Sequence, residues 1–287
     1  MENTHTHTHT HTQTYIIKPP KPSVMYDMFE VIKGIGVKEV DEENYRLIPE
    51  NADVIFFSYF TVKNSDRPLP RWNVWYINTE SLYVKRWLKR FNKINQFVNI
   101  QKISDYSYKN IYKFKTFMPK TVKYNIFAAM YDPYYIVGTQ IQTRDIDILF
   151  FGALNDRREQ IKNELEEKLI NKKILFINNF KETMDYSFRS KMVLVIHFYK
   201  ECNPIDFYRI NKLICNKIPI IHEEVQQEEK ESEEYKLLSK YLVFTSASDI
   251  PSTCDYYLRN YDDLIDKTDR LFSVFKEKFS MENKRLS

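Results

Sequence analysis

The segment DILFFGALNDRRE, residues 147–159, decides the fold. Within it, the apolar run Ile148–Phe151 stops at Gly152, and a polar turn then leads into a charged helical pattern. Further apolar runs follow, separated by amphipathic stretches; they are Ile174–Ile177, Met192–Ile196 and Ile218–Ile221. This alternation predicts βαβ units and a parallel sheet. Ligands of such sheets bind at the carboxyl ends of the strands, where Gly152, His197 and His222 fall in this prediction.

The composition excludes several kinds of phosphate and metal site. The 287 residues include only 4 glycines, which excludes a Gly-rich phosphate loop. A phosphate site must therefore use one glycine, a helix N-terminus and arginine side chains. The cysteines Cys202, Cys215 and Cys254 show no CxxC pairing, so neither a disulfide framework nor a zinc site is indicated. A reducing compartment is the simpler interpretation.

Charge and hydropathy bear on partners and location. The net charge of +4, from 43 basic and 39 acidic residues, gives no whole-protein case for nucleic-acid binding. No apolar run approaches the roughly 20 residues that span a bilayer. The N-terminus lacks the apolar region of a signal peptide, so we expect a cytoplasmic protein. The Lys-, Asn-, Ile- and Tyr-rich composition would suit a virus with an AT-rich genome, in which case the location is the host cytoplasm.

Composition divides the chain into three parts. Residues 1–22 hold a Thr-His repeat and a Lys-Pro spacer, which predict a disordered tail, with weak metal chelation as the alternative. Residues 23–140 contain strand patterns at Val54–Phe60, Arg71–Ile77 and Val122–Phe127. Residues 141–287 add a strand pattern and two terminal helices, at Leu242–Thr245 and Ser248–Phe279. The pattern predicts two Rossmann-like α/β domains that face each other across a cleft.

Two charged stretches stand out. Ser81–Ile94 predicts a helix with a basic face, formed by Lys85, Arg86, Lys89, Arg90 and Lys93. A solvated face is one interpretation, and contact with an anionic acceptor or peripheral contact with a membrane surface is the other. Glu223–Glu234 contains seven glutamates and predicts an exposed loop and a helix start.

Several short strings resemble a known family in their order along residues 75–225. They are Asn78-Thr79-Glu80; Asp105-Tyr106-Ser107 with Asn110; Asp147–Gly152 with Asn155 and Arg157-Arg158; Ser190-Lys191; Ile196-His197-Phe198-Tyr199; Arg209 with Leu213 and Asn216; and Glu223. This set resembles GT-B glycosyltransferases of the group 1 type, from bacteria and large DNA viruses. Val195, where the family often has Asn, and Asp206, where Glu is usual, depart from the pattern.

The resemblance implies a fold and an activity. It implies the GT-B fold, with residues 23–140 on the acceptor side and residues 141–287 binding a nucleotide sugar. The implied reaction moves a sugar from a nucleotide diphosphate sugar to a glycan, lipid or protein acceptor, without a metal or other cofactor. The alternative is a catalytically degenerate GT-B protein that binds a glycan or a partner.

On the donor side, the resemblance assigns a diphosphate site to the turn after residue 151. Gly152 permits close backbone approach, and the helix that starts near Asn155 points free N–H groups there. Arg157 and Arg158 lie in the first turn, where cations oppose the helix dipole, so a nearby anion is expected. Surface pairing with Asp156 or Glu159 is the alternative.

Three further residues are assigned to the donor site. The guanidinium of Arg209 suits phosphate, unless it serves an ion pair with Asp206. His197 lines the site or takes part in catalysis, with a structural hydrogen bond as the alternative. Glu223 accepts from ribose hydroxyls, or it simply begins the acidic loop.

On the acceptor side, Glu80 and Asp105 follow strands of the N-terminal half. Either carboxylate could be the general base, which must reach the acceptor oxygen. The alternative for Asp105 is capping of the next helix, with Ser104 or Asp105 as the N-cap.

Overall fold

The computed structural model describes residues 13–19, 24–33, 36–58, 71–126, 129–138, 143–178, 182–200 and 202–280. The histidines of the Thr-His repeat, with their predicted metal chelation, lie outside the described residues. Among the described residues, no helix is both long and apolar enough to cross a membrane.

The N-terminal half forms a six-stranded parallel sheet in the order β2-β1-β3-β4-β5-β6. Its strands are β1 (Thr14–Ile17), β2 (Lys38–Val40), β3 (Asp53–Phe57), β4 (Asn73–Asn78), β5 (Asn99–Asp105) and β6 (Lys123–Ile126). Its helices are α1 (Val24–Lys33), α2 (Lys85–Asn95) and α3 (Tyr108–Lys115). Helix α2 starts four residues later than the sequence pattern predicts.

The predicted disordered tail of residues 1–22 is wrong at Thr14–Ile17. This segment is strand β1, which lies inside the sheet between β2 and β3. Ile16 pairs with Glu39 on one side and with Ile55 on the other. Ile16 and Ile17 are fully buried. Hydrogen bonding on both edges and burial of two isoleucines offset the entropy cost of ordering this short segment.

The C-terminal half forms a five-stranded parallel sheet in the order β11-β10-β9-β7-β8. Its strands are β7 (Ile146–Phe151), β8 (Ile174–Ile177), β9 (Ser190–Val195), β10 (Ile220–Glu223) and β11 (Val243–Thr245). Its helices are α4 (Asp156–Lys168), α5 (Thr183–Phe188), α6 (Phe207–Cys215), α7 (Gln227–Lys230), α8 (Glu233–Leu238), α9 (Ile250–Arg259) and α10 (Tyr261–Phe279). The predicted α/β class with two parallel, Rossmann-like sheets is confirmed.

The strand order of the second sheet creates a crevice. The chain passes from β7 to β8 on one side and then places β9 on the other side of β7. Such a reversal opens a ligand crevice between the carboxyl ends of the two strands. Strand β10 begins at Ile220 and ends at Glu223, so each end lies two residues later than predicted. His222 and Glu223 therefore lie within the strand rather than after it.

A shared core joins the two halves. Phe29 of α1 belongs to one buried cluster with Leu149 of β7 and Phe275 of α10. Helix α10 returns to the N-terminal half, where the Tyr131 N–H donates to the Phe279 carbonyl at 2.8 Å. The two sheets therefore pack on common hydrophobic residues, while the exact domain boundary near residue 140 stays a prediction.

Candidate functional site

Strand β7 ends at Gly152, whose backbone is in the left-handed region with φ +142°. A Cβ at this position would lie 3.0 Å from Arg209 Nη2 and 3.4 Å from Arg158 Nη1. A side chain would therefore be strained by the backbone and would push against a guanidinium. The structure thus brings Gly152, Arg158 and Arg209 together at the predicted turn.

Arg158 is buried, and its guanidinium hydrogen-bonds to the loop after β7 and the loop after β9. The residue is only 1% exposed to solvent. Nε donates to the His197 carbonyl at 3.3 Å, Nη1 to Ala153 at 2.7 Å and Nη2 to Ile196 at 2.5 Å. Its alternative assignment as a surface residue is wrong. The guanidinium joins the turn after β7 to the end of β9, so much of its bonding capacity serves the fold.

Arg209 differs from Arg158 in what it leaves unpaired. Its Nε lies 3.3 Å from Asp206 Oδ2, so the predicted alternative ion pair is present. Its Nη1 is buried and has no hydrogen-bond partner among the described residues. Burial and, secondarily, the charge of Arg209 lower the pKa of Arg158 to about 9. Two adjacent cations with a free buried donor make a site that an anion would stabilise.

Arg157 points to the neighbouring strand. Its Nη1 donates to the His197 carbonyl at 2.9 Å, and its Nη2 forms an ion pair with Glu223 Oε1. Glu223 Oε2 accepts from the His197 N–H at 2.9 Å. The alternative that Glu223 begins an exposed loop is wrong, since it is buried in β10. The Glu223 carboxylate therefore links β10 to the segment that follows β9. Its contact with a ribose stays a prediction.

The His197 ring is buried beside a second imidazole. Its Nε2 lies 3.2 Å from the Glu224 carbonyl, and its ring centre is 5.3 Å from that of His222. Burial first, then the charges of His222 and Arg157, lower the pKa of His197 well below its usual range. The imidazole is therefore neutral at physiological pH. The residue's backbone, rather than its ring, connects Arg157, Arg158 and Glu223.

Asn155 is the N-cap residue of helix α4, directly before its first residue. Its Oδ1 accepts from the Arg158 N–H at 3.1 Å, and its Nδ2 donates to the Phe198 carbonyl at 2.8 Å. The first capping bond is the usual N-cap role. The second holds the start of α4 against the loop after β9, so the helix N-terminus lies at the crevice.

An open groove of about 1180 Å³ runs along α4, from Asn155 to Lys168. Its walls include Asn155, Arg157, Phe198, Tyr199, Lys200, Asn203, Glu223 and Ser248. The volume is comparable with small-molecule sites, which are about 300–1,000 Å³. Both Arg157, whose side chain is 23% exposed, and the buried Glu223 border this groove, and they are paired with each other.

Asp105 lies at the centre of a hydrogen-bond network in the N-terminal half. It is fully buried; its Oδ2 accepts from Asn78 Nδ2 at 2.6 Å, and its Oδ1 from the Ser107 N–H at 2.8 Å and Asn110 Nδ2 at 3.2 Å. Burial raises the pKa of Asp105 well above its usual range, and the bond from Asn78 opposes that rise. The N-cap of α3 is Ser107, not Ser104 or Asp105 as predicted. Asp105 already accepts from three N–H donors, which suits a positioning residue better than a base.

Glu80 is held by the same amides. Its carbonyl accepts from Asn78 Nδ2 at 2.6 Å and from Asn110 Nδ2 at 3.0 Å. Burial raises the pKa of the Glu80 carboxyl to about 7, against the opposing charges of Arg86 and Arg90. A carboxyl that titrates near neutrality on a fixed backbone has the properties of a general base.

The two candidate clusters face each other. Tyr208, next to Arg209 on α6, donates its hydroxyl to the Asn78 carbonyl at 3.1 Å. Its ring centre lies 4.9 Å from that of Tyr106. Sequence reasoning missed Tyr208, because a tyrosine on an amphipathic helix carries no signal of a contact 130 residues away. The contact joins the end of β4, two residues before Glu80, to helix α6, which carries Arg209.

The acidic run is not a uniformly exposed loop, contrary to prediction. Glu229 on α7 is only 2% exposed. Its Oε1 accepts from Ser107 Oγ at 2.7 Å, across the crevice, and from Gln226 Nε2 at 3.1 Å. Burial raises the pKa of Glu229 to about 7. No feature of the sequence separates Glu229 from the other glutamates of the run.

The described residues contain no group of three or more His, Cys, Asp or Glu side chains arranged to hold a metal ion.

Neither a protein-family model nor a curated protein sequence matches the chain. Solved structures do. TarM is 11% identical with a TM-score of 0.54, covering 91% of this chain and 56% of that chain. A TarM variant from S. aureus, in complex with fondaparinux, alpha-GlcNAc-glycerol and UDP, is 10% identical with a TM-score of 0.52, covering 81% and 54%. Sucrose-phosphate synthase from Thermosynechococcus elongatus is 8% identical with a TM-score of 0.52, covering 82% and 71%.

These similarities bear on the fold. The chain spans about half the length of the TarM structures. Identity is too low to transfer a substrate. The structural neighbours are GT-B glycosyltransferases, and the predicted GT-B glycosyltransferase-like fold is confirmed.

Proposed function

We propose that this protein transfers a sugar from a nucleotide diphosphate sugar to an acceptor hydroxyl. The observation that carries the proposal is the guanidinium of Arg209, whose buried Nη1 has no hydrogen-bond partner among the described residues and whose Nη2 lies beside Gly152. It lies at the crevice between β7 and β9 in a GT-B glycosyltransferase-like fold. A buried guanidinium N–H without a partner is costly, and a phosphate oxygen would satisfy it.

The donor side would neutralise the leaving nucleotide. As the bond from the anomeric carbon to the diphosphate breaks, the electron pair leaves with the phosphate oxygen. Arg209 and the N-terminus of α4 supply positive charge where that negative charge develops. Arg158 holds the two loops in place, and Arg157 with Glu223 lines the groove where the nucleoside would lie. We infer that these groups do this without a metal.

The acceptor side would remove a proton. Glu80 accepts the proton of the acceptor hydroxyl while the oxygen of that hydroxyl bonds to the anomeric carbon. Asp105 acts through Asn78 and Asn110, because both amides that it binds also hold the Glu80 carbonyl. The neutral His197 lines the donor site and, through its backbone, fixes Arg157 and Glu223. The acceptor is a glycan, a lipid or a protein, and the cytoplasmic and viral assignments stay predictions from the sequence.

A panel of nucleotide sugars tests the proposal by thermal shift. A ligand at about 100 times its Kd stabilises the folded state by about 2.7 kcal/mol, so a true donor raises the Tm measurably. We expect a UDP- or GDP-sugar to do so, and free UDP or GDP to appear when donor and acceptor are both present. A panel in which every member leaves the Tm unchanged would contradict the proposal.

One set of contacts favours a second candidate, a GT-B protein that binds a glycan or partner without turnover. Asp105 already accepts three hydrogen bonds, and Arg157 and Glu223 neutralise each other. Under this alternative, nucleotide binding persists but no free UDP or GDP is released with any acceptor. The release assay therefore separates the two candidates.

A further inference from the structure

Helices α2 and α3 lie side by side on the N-terminal half. The ring centres of Phe91 on α2 and Phe114 on α3 are 4.8 Å apart. The two helices carry no Asp or Glu, in a chain whose 43 basic residues are nearly balanced by 39 acidic ones. The basic residues are Lys85, Arg86, Lys89, Arg90 and Lys93 on α2 and Lys109, Lys113 and Lys115 on α3. We call these residues, with the aromatics described below, the α2–α3 surface.

Part of this surface is a free stripe of lysines. Lys85, Lys89 and Lys93 are spaced four residues apart, so they lie on one face of α2. All three are exposed. Phe91 and Ile94 are buried, so the opposite face of the helix already packs against the core. The lysine stripe is therefore available to a partner.

Exposed aromatic rings lie among these cations. Tyr83 is 41% exposed, Tyr112 52% and Phe117 40%. The Nζ atoms of Lys109 and Lys113 lie 4.7 and 4.3 Å from the Tyr83 ring centre. Tyrosine and lysine place an apolar body beside a polar tip, which suits the boundary between water and an apolar phase. Phe117 has no polar tip, and its exposed part gains only from an apolar partner.

We propose that the α2–α3 surface docks on an anionic lipid bilayer. The exposed lysines would face the negative headgroups, and the aromatic rings would enter the headgroup layer. A dissolved polyanion would use the cations but would leave Phe117 in water. Three acidic residues approach this surface: Glu229 and Glu234 bind the start of α3, at Ser107 and Tyr108, and the charge of Glu228 acts on Tyr83.

Docking would also orient the crevice, an extension that rests on the proposed function. Tyr83 follows Glu80 by three residues, so this surface adjoins the acceptor wall. A bilayer bound to α2 and α3 would bring membrane-borne acceptors to that wall. The acceptor would then be a lipid-linked hydroxyl compound.

Vesicle sedimentation tests the docking with the full chain. We expect binding to vesicles of phosphatidylcholine with phosphatidylglycerol, little binding to pure phosphatidylcholine, and release by high salt. The triple variant Lys85→Gln/Lys89→Gln/Lys93→Gln should bind about 100-fold more weakly, since each basic residue near an anionic surface strengthens binding about fivefold. The matched control replaces three lysines of α10, Lys267→Gln/Lys276→Gln/Lys278→Gln, and should bind like the unmodified protein.

A further variant separates a bilayer from a polyanion. Phe117→Ser should weaken vesicle binding several-fold and leave retention on heparin unchanged. Three results would overturn the proposal: no binding to anionic vesicles, equal loss in the α10 control, or binding to heparin or RNA without binding to vesicles. Vesicle binding does not depend on turnover, so its failure is distinguishable from a failure of nucleotide binding.

Discussion

Replacing Arg158 by methionine separates the structural arginine from the ligand-binding one. Methionine keeps much of the volume but leaves the carbonyls of Ala153, Ile196 and His197 without the donors seen at 2.5–3.3 Å. Each buried unpaired group costs about 1–3 kcal/mol. Relief of repulsion with Arg209 offsets part of that sum. We expect the free energy of unfolding to fall by about 3–5 kcal/mol, the range for breaking a buried charged network.

Urea unfolding followed by circular dichroism measures the change, with Arg209→Met as the matched control. The control loses the ion pair with Asp206, the long ring contacts with Phe150 and Phe151 and one buried donor that has no partner among the described residues, so its stability should stay within about 1 kcal/mol of the unmodified protein. If Arg158→Met is as stable as Arg209→Met, the inference that Arg158 ties the loops together is refuted.

Further changes probe the turn, the base and the buried glutamate. Gly152→Ala should weaken nucleotide binding about tenfold or more and cost about 1–3 kcal/mol of stability, because its Cβ meets Arg209 at 3.0 Å in a strained backbone region; calorimetry and urea unfolding measure both. Activity should rise as pH increases through about 7, the pKa of Glu80, and Glu80→Gln should lower kcat by about 10²–10⁴; a pH-independent rate would exclude Glu80 as the base. Burial raises the pKa of Glu229 from 4.5 to about 7, so the folded state binds the extra proton and stability falls as pH rises between those values. Glu229→Gln should show a smaller slope in urea unfolding at several pH values, with the remainder due to Glu80, whose pKa is raised to the same value, while an unchanged slope in the variant would exclude Glu229 as a cause.

Hydrophobic periodicity predicts most of the elements that form the donor side. The apolar runs ending at Phe151 and near Ile196 are β7 and β9. Parallel strands place their carboxyl ends at one edge, so the grouping of Gly152 with Arg158 and Arg209 follows from topology alone. These features depend on local pattern and on the rules of parallel sheets, which sequence carries directly.

The role of each arginine could not be predicted. Arg157, Arg158 and Arg209 have the same chemistry and lie in two similar helix starts. One pairs with Glu223, one ties loop carbonyls and one keeps a free buried N–H. The difference arises from the direction of each side chain in the folded crevice, and sequence spacing does not determine that direction.

Contacts between distant segments account for the remaining errors in the sequence-based predictions, at strand β1 and at Glu229. Strand β1 contains only two strongly apolar residues, and its stability comes from pairing with β2 and β3. Glu229 is buried because Ser107 lies opposite it across the crevice. Both depend on partners far away in the chain, so local composition predicts solvent exposure in each case.

Isothermal titration of UDP and GDP tests the diphosphate site most directly. We predict that the unmodified protein binds at least one of them. Arg209→Met should remain folded and bind about 10–100-fold more weakly, the loss expected for a hydrogen bond to a charged group of about 1.5–3 kcal/mol. Absence of heat with both nucleotides, or equal affinity in Arg209→Met, would contradict the assignment of Arg209 and Gly152 to the donor site.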